Sequence, residues 1–461
     1  MSFYEAFLQN ALFPMDIYRL RKGKLFEYLK EFEKSQFLSS EEIKELSWQR
    51  LKTILQHAYD NIPYYRKSFD AAGVIPADIQ SEDDLLRLPI LEKRQVQAHL
   101  DDLIATNWAK EDLLPNQTGG STGTPVKFYS CLDRLISREA AAYRHNRWAG
   151  WGICSKSAAL WGASRDFHPP ARFLNKLHNF FFDRQIMLNT STFNETDILE
   201  FNETLKKYRP KSILGYANAL TVFAQVLKER NIPAYNPYSI ISSAEMLTPE
   251  NRELVENVFG CRVFNRYGSR ETSVIASECD HHKGLHVMAE GLYLELVVDG
   301  RHAKAGETGE IVVTDLLNFP MPFIRYRIGD MAIWSETPCS CGRGLPMLKT
   351  LTGRVTDFLV ADNGSLCSGA SLTALVVAKR STLKQIQIYQ ERRGEVIYRI
   401  ASGKNQPIAE DDLKFIREKS AIYLGTGTKV AFEFVDEIPK TASGKNLFSI
   451  SKAVAYKFAS E

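Results

Sequence analysis

A segment rich in glycine and hydroxyl groups near residue 120 has the composition of a phosphate-binding loop. It reads TGGSTGTP over 118–125 and is followed closely by Lys127. Glycines let backbone amides approach an anion, the hydroxyl groups donate hydrogen bonds, and lysine adds positive charge. The segment is not a Walker A loop, and a glycine-rich turn without a ligand is the alternative interpretation. The candidate phosphate contacts are Thr118, Gly119, Gly120, Ser121, Thr122, Gly123, Thr124 and Lys127.

Two later motifs carry acidic side chains that could hold a nucleotide. YGSRE (267–271) follows a predicted strand, and a carboxylate at the carboxyl end of such a strand lies where ligands bind in open α/β sheets. Glu271 is therefore a candidate Mg²⁺ ligand, and Tyr267 a candidate stacking partner for a purine ring. Asp330, which ends YRIGD (326–330), could accept hydrogen bonds from ribose hydroxyls. An ordinary turn is the alternative for each motif taken alone.

A lysine near the C-terminus lies in a flexible setting. PKTASGK (439–445) combines Ser and Gly and ends in Lys445. From a mobile loop this side chain could reach an active site on another domain. A solvated loop lysine is the alternative.

Three cysteines and a histidine form a possible metal set. Cys279 and His286 make a Cys-x₆-His pair, and Cys339 and Cys341 a Cys-x-Cys pair. Three thiolates and one imidazole suit tetrahedral zinc, and four protein ligands would make the site structural. The neighbouring His281 and His282 compete for the histidine position. Ordinary cysteines are the alternative, since the two pairs are far apart in the sequence.

The amino-acid composition indicates which kind of protein this is. The chain has 461 residues, of which 44% are apolar and 25% charged, as in soluble globular proteins of at least two domains. The net charge of +3 gives no reason to expect nucleic acid as a partner. Seven cysteines are too few for a disulfide scaffold. Neither a signal segment nor an apolar span is visible, so we expect a cytoplasmic protein without a membrane anchor.

The elements that must position these residues follow from hydrophobic periodicity. Residues 1–100 favour helices, including 25–37 and 41–59. Strand-like and helical runs then alternate from about 113 to 350, which predicts an α/β domain with a mostly parallel sheet. The predicted strands are 157–164, 212–216, 238–245, 261–268, 291–300 and 309–315, and the predicted helices are 219–231 and 249–260. A smaller α+β domain follows, so we predict domains at 1–352 and 353–461.

The motifs together, in this order, resemble those of the adenylate-forming superfamily of acyl-CoA synthetases and adenylation domains. LKTILQHAYDNIPYYRKSFDAAG (51–73), TGGSTGTP and SAEML (243–247) are similar to the phenylacetate–CoA ligase branch. The closing GKNLFSISKA (444–453) is similar to CapK-like members, which are associated with capsular polysaccharide synthesis. The branch also carries a similar Cys/His set in which GLH follows the cysteine, which favours His286 as the zinc ligand.

The resemblance implies that ATP activates a carboxylic acid as an acyl-adenylate, with release of pyrophosphate. Lys445 would bridge the carboxylate and the α-phosphate, Glu271 would coordinate Mg²⁺, and Asp330 would hold the ribose. The implied nucleotide contacts also include Ala244, Glu245, Tyr267, Gly268 and Arg354. Strand ends near Trp161, Tyr216, Asn218 and Ser243 would border the acid.

The acceptor is less closely specified by the resemblance. The small C-terminal domain of the family is mobile, and Asp357 matches an acidic hinge position. Ligases of the branch then carry a pattern like RGVNVFP, but this chain has ADNGSLCSG (361–369), without the basic residue and proline. An amine is therefore an acceptor to weigh beside coenzyme A. The alternatives are a phenylacetate or aryl-acid–CoA ligase and a non-catalytic nucleotide-binding subunit, and the oligomeric state stays open.

Overall fold

A computed structural model describes most of the chain and defines its helices and strands. The described residues are 7–19, 22–118, 126–162, 178–190, 193–354, 358–364, 366–369, 372–373, 376, 383, 385–401, 408–438 and 449–453. The helices are α1 (Phe13–Arg19), α2 (Lys24–Ser35), α3 (Ser40–Asn61), α4 (Pro63–Ala71), α5 (Glu82–Leu85), α6 (Lys93–Ala98), α7 (Leu132–Trp148), α8 (Glu195–Tyr208), α9 (Ala217–Glu229), α10 (Pro249–Phe259) and α11 (Glu410–Leu424). No helix in these ranges combines the length and apolar character needed to span a membrane.

Twenty strands are described. They are β1 (Leu114–Gln117), β2 (Lys127–Ser130), β3 (Ser157–Trp161), β4 (Gln185–Asn189), β5 (Ser212–Tyr216), β6 (Ser239–Ser243), β7 (Arg262–Ser269), β8 (Ser273–Glu278), β9 (Leu285–Val287), β10 (Leu292–Val298), β11 (Arg301–His302), β12 (Thr308–Asp315), β13 (Tyr326–Trp334), β14 (Met347–Arg354), β15 (Phe358–Val360), β16 (Leu366–Ser368), β17 (Gln385–Gln390), β18 (Glu395–Ala401), β19 (Lys429–Val435) and β20 (Ser449–Ser451).

The N-terminal helices form where the sequence predicts them. Helix α3 begins with a capping box in which the Ser39 hydroxyl accepts the Glu42 amide and the Glu42 carboxylate accepts the Ser39 amide. This arrangement satisfies two amides that the first helical turn leaves without partners. Leu51, Ile54 and Leu55 of α3 are buried in the largest hydrophobic core. The N-terminal helices therefore share a core with strands of the large sheet.

One twelve-stranded sheet dominates the fold, in the order β11-β10-β12-β13-β14-β9-β8-β7-β6-β5-β3-β4. The run from β7 to β4 is parallel, because helices α8, α9 and α10 provide the crossovers. From β7 to β11 every pairing is antiparallel. The α/β class is confirmed, but only the four pairings between β7 and β4 are parallel, and the segment after β10 contains the short strand β11.

Buried ion pairs fix both ends of helix α7. Near its start, Arg134 Nε donates to Asp315 Oδ2 at 2.9 Å, and both side chains are almost fully buried. Near its end, Arg144 pairs with the fully buried Glu290, which also accepts from the Ser35 hydroxyl at 2.6 Å. These contacts join α7 to the antiparallel half of the sheet and to α2.

The residues that follow the large sheet in the chain have a hydrophobic core of their own. It is built from Leu359, Ile388, Tyr398 and Ile416 with their neighbours, under the four-stranded sheet β19-β18-β17-β20 and helix α11. Strands β17 and β18 of this sheet form an antiparallel hairpin. Strand β14 of the large sheet extends to Arg354, and β15 begins at Phe358. The domain division at 352/353 stays a prediction.

Candidate active site and metal centre

The glycine-rich segment follows β1 and precedes β2 in the chain. These two strands are antiparallel, with Gln117 opposite Lys127. Beyond that pair, Thr118 N–H donates to the Val126 carbonyl and the Val126 N–H donates to Thr118 Oγ1, each at 2.9 Å. These bonds fix both ends of the segment. Gly119 to Thr124 lie outside the described residues, so their predicted phosphate contacts stay predictions, as does that of the exposed Lys127.

The two acidic motifs meet through hydrogen bonds between residues of β7, β13 and the turn after β7, although Glu271 and Asp330 are 59 positions apart in the sequence. The Tyr267 hydroxyl donates to Asp330 Oδ2 at 2.8 Å. The Tyr326 hydroxyl donates to Glu271 Oε1 at 3.2 Å. The two tyrosines therefore hold the predicted ribose ligand and the predicted Mg²⁺ ligand.

A tight turn after β7 sets the position of Glu271. Gly268 has no room for a side chain, because a Cβ there would lie 2.4 Å from the Ser273 carbonyl oxygen. Ser273 itself has a positive φ of 70°. The turn brings Glu271 back beside Tyr326, and its half-buried carboxylate retains free lone pairs. One carboxylate together with substrate phosphates and water is a common way to bind Mg²⁺ in proteins.

The remaining predicted nucleotide contacts lie after β6 and at the end of β14. Ala244, just after β6, adopts a positive φ of 66°, a conformation that is uncommon for a residue other than glycine and is often found at functional sites. The backbone N–H of Asn218, at the start of α9, donates to Glu245 Oε2 at 2.9 Å. The Arg354 backbone lies opposite Asp330 in the β13–β14 pair. Lys445 and Asp357 lie outside the described residues.

The predicted acid-binding residues lie together at the carboxyl ends of neighbouring parallel strands. Tyr216 ends β5 directly opposite Ser243 at the end of β6. Trp161 ends β3, and its ring meets the Tyr216 ring at 4.5 Å between centroids, in an edge-to-face arrangement. Asn218 follows two residues after Tyr216. Such an edge is where ligands bind in open α/β sheets, so the grouping is consistent with a substrate pocket.

We expect Tyr267→Phe to raise the Kd of Mg-ATP about three- to tenfold, because the ribose acceptor Asp330 loses the hydroxyl that fixes it. Isothermal titration measures this Kd. The matched control is Tyr235→Phe, which removes a hydroxyl that donates to the Pro210 carbonyl at the same distance of 2.8 Å. Equal Kd values for both variants would contradict a role for Tyr267 in the nucleotide site.

The four predicted zinc ligands come together. The ligand atoms of Cys279, His286, Cys339 and Cys341 all lie within 4.8 Å of one another. The Cys279 and Cys339 sulfurs are 3.8 Å apart, and Cys341 Sγ is 3.4 Å from His286 Nε2. Tetrahedral zinc requires about 3.8 Å between thiolates and about 3.5 Å between a thiolate and an imidazole nitrogen, given its usual bond lengths.

Sheet pairing explains why residues so distant in the sequence converge. His286 is in β9, opposite Ser277 of β8 and Met347 of β14. Cys279 follows β8, while Cys339 and Cys341 precede β14. The antiparallel strands therefore bring both pairs to the same end of the sheet.

The surroundings favour His286 over its two competitors. His286 Nδ1 lies 3.4 Å from the Leu345 carbonyl, which leaves Nε2 to face the cysteines, as is usual for metal-binding histidines. His281 is hydrogen-bonded to Ser340 at 2.8 Å, and His282 to Glu278 at 3.2 Å. Of the three candidate histidines, His286 is the one that lies in the cluster with the cysteines.

The electrostatics of the cluster suit a cation. Burial raises the pKa of Cys279 to about 12, so this thiol would stay protonated without a metal. Burial also acts to raise the pKa of Cys341, but hydrogen bonds from the Arg343 backbone and side chain lower it below its usual value. Zinc would stabilise the thiolates, and the resulting charge of −1 would be balanced by Arg343.

Comparison with known proteins extends these observations. Residues 359–452 match the family model of the CapK C-terminal domain. Protein CapK of Staphylococcus aureus is 23% identical over 453 residues, which cover 93% of this chain and 95% of that protein. A phenylacetate-coenzyme A ligase of Thermus thermophilus is 25% identical over 379 residues, which cover 77% of this chain and 80% of the ligase.

A solved structure matches nearly the whole fold. It is 2-hydroxyisobutyryl-CoA ligase in the postadenylation state in complex with R3-HIB-AMP, with a TM-score of 0.69, 17% identity, and coverage of 92% of this chain and 93% of that one. The chain has the fold of the adenylate-forming ligases. The resemblance drawn from the motifs is confirmed. The predicted class of enzyme is also confirmed, because the phenylacetate relatives and the structural neighbours are ligases of this kind.

Proposed function

We propose that the protein uses ATP to activate a carboxylic acid as an acyl-adenylate, releases pyrophosphate, and transfers the acyl group to an amine or to coenzyme A. The observation that carries the proposal is the pair of tyrosine hydrogen bonds, Tyr267 to Asp330 and Tyr326 to Glu271. They hold a candidate ribose ligand and a candidate metal ligand near the predicted acid pocket. As the motif resemblance implies, we place this reaction in polysaccharide or small-metabolite biosynthesis.

The proposed chemistry requires two anions, a carboxylate and a phosphate chain, to meet. Bound Mg²⁺ would neutralise part of the phosphate charge. Glu271 would hold the metal, Asp330 would orient the ribose, and the 118–127 segment would bind phosphate oxygens. Most of the rate enhancement would then come from positioning and charge stabilisation rather than from acid–base catalysis.

Acid-dependent exchange of labelled pyrophosphate into ATP tests the first half-reaction. We expect one member of a panel of aryl acids, uronic acids, amino acids and short fatty acids to stimulate exchange in the presence of Mg²⁺. Binding of Mg-ATP without exchange for any acid in a broad panel would instead support the non-catalytic nucleotide-binding alternative.

Glu271→Gln tests the assigned metal ligand. The amide keeps the size of the side chain and can still accept the Tyr326 hydrogen bond, but it lacks the negative charge. We expect the Mg²⁺ concentration for half-maximal exchange to rise about 10- to 100-fold, which is the range seen when metal sites are weakened. An unchanged Mg²⁺ requirement would remove Glu271 from the metal site.

The acceptor receives the acyl group in the second half-reaction. In place of the branch pattern, residues 361–364 form the turn between β15 and β16, where Arg393 Nε donates to the Asp362 carbonyl at 2.8 Å and Gly427 N–H donates to Asp362 Oδ2 at 3.1 Å. The segment is thus held by its own domain and carries a carboxylate. This favours an amine over the anionic coenzyme A, the acceptor of the alternative aryl-acid–CoA ligase. Consumption of the adenylate by coenzyme A alone would establish that alternative.

A further inference from the structure

Helix α7 carries two arginines on one face, one turn apart. Arg134 and Arg138 are both buried, with exposed fractions of 3% and 8%. Because residues four apart lie on the same side of a helix, both side chains face the region of the YGSRE turn. Arg134 donates to the Thr272 carbonyl of that region at 3.4 Å, which fixes the orientation of this face.

The charge of Arg134 is compensated within the protein. It forms an ion pair with Asp315 at 2.9 Å and donates to the Ser137 hydroxyl at 3.0 Å. Asp315 is also engaged through its second oxygen, which accepts the Leu317 amide at 3.0 Å. The buried charge of Arg134 is therefore balanced within the protein and requires no ligand.

Arg138 has no such compensation in the described part of the chain. Its Nε is buried without a hydrogen-bond partner, and the guanidinium forms no ion pair with a described residue. Burial lowers its pKa to about 9, and the adjacent Arg134 adds to this effect, while Asp315 and Glu271 act in the opposite direction. A buried cation without a direct partner is costly, so its presence here points to an anion supplied from outside the protein.

We propose that Arg138 is an anion-binding residue of the nucleotide site, and that its guanidinium contacts phosphate oxygens of ATP and of the pyrophosphate that leaves. The inference rests on the proposed function, because it takes Glu271 to mark the metal-binding side of the phosphate chain. Guanidinium suits this role, since its planar donors match two phosphate oxygens at once.

Calorimetric titration of the full-length protein with inorganic pyrophosphate and Mg²⁺, and separately with AMP, tests this inference. We expect Arg138→Gln to weaken pyrophosphate binding about 10- to 100-fold, as for loss of a charge-assisted hydrogen bond. AMP, which lacks the β- and γ-phosphates, should bind both proteins alike. Arg138→Lys should recover part of the affinity, because it restores the charge but not the paired donors.

Thermal unfolding separates binding from a structural role. Because the buried guanidinium forms no ion pair with a described residue, we expect the ligand-free Arg138→Gln variant to unfold at the same temperature as the native protein or higher, while the stabilisation by pyrophosphate becomes smaller. The control is Arg147→Gln on the same helix, since Arg147 pairs with Glu33 and forms part of no proposed site. This control should bind pyrophosphate normally.

Three results would overturn the inference. Native pyrophosphate affinity in Arg138→Gln would do so while leaving the proposed function intact. A lower unfolding temperature of Arg138→Gln with an unchanged response to pyrophosphate would also overturn it, because Arg138 would then be structural. The third such result is an effect of the substitution on the KM of the acid alone. Failure of the native protein itself to bind Mg-ATP and pyrophosphate would overturn the proposed function as well.

Discussion

Replacing Lys445 with alanine is expected to slow acyl-adenylate formation about 10²- to 10³-fold, the usual loss when one preorganised charge donor is removed from a transition state. The resemblance places this lysine between the carboxylate and the α-phosphate, where negative charge accumulates as the two groups approach. Residues 439–448 lie outside the described part of the chain. The strand that follows them, β20, pairs with β17, where Ser449 lies opposite Ile388.

The measurement is the rate of pyrophosphate exchange with the activating acid, together with the Kd of Mg-ATP. A catalytic role predicts a large loss of rate with little change in ATP affinity, because the lysine contributes mainly in the transition state. Lys429→Ala is the matched control, since this side chain is in the same domain, 82% exposed, and paired with Glu395 at 3.6 Å. Exchange at the native rate in Lys445→Ala would contradict the assignment.

Removal of the proposed zinc is expected to cause the second large effect, on stability. Zinc at 1,000 times its Kd would stabilise the fold by about 4 kcal/mol, and that contribution would be lost on chelation. The cluster links β8, β9 and the segment before β14, so its loss should loosen the centre of the large sheet. We expect about one zinc per chain in the native protein, as for a closed four-ligand site.

Cys339→Ser should lose the metal and unfold at a lower temperature, while Cys261→Ser should retain it, because Cys261 lies outside the cluster. Elemental analysis gives the metal content, and denaturant unfolding with and without a chelator gives the change in stability. A native protein that contains no zinc and is equally stable in the chelator would refute the metal centre.

Local sequence patterns predicted several of the elements. The strand at 212–216 was predicted with its observed limits, and helix α10 to within one residue, because Pro249 and Gly260 mark its ends by their backbone preferences. Such signals act between near neighbours in the chain. The extent of the antiparallel run from β7 to β11 was not predicted, because strand direction is set by pairing between segments that are distant in the chain.

The motifs could be read from the chain alone: the phosphate-loop composition, the acidic motifs, the three cysteines and histidine, and the order that indicates adenylate-forming ligases. Which of these residues meet depended on contacts between segments that are distant in the chain. Sheet pairing selected His286 over His281 and His282, and joined Tyr267 to Asp330. The sequence could not show that Arg138 Nε is buried without a hydrogen-bond partner. That depends on the fold, which excludes water from the side chain and pairs the carboxylate of Asp315 with Arg134.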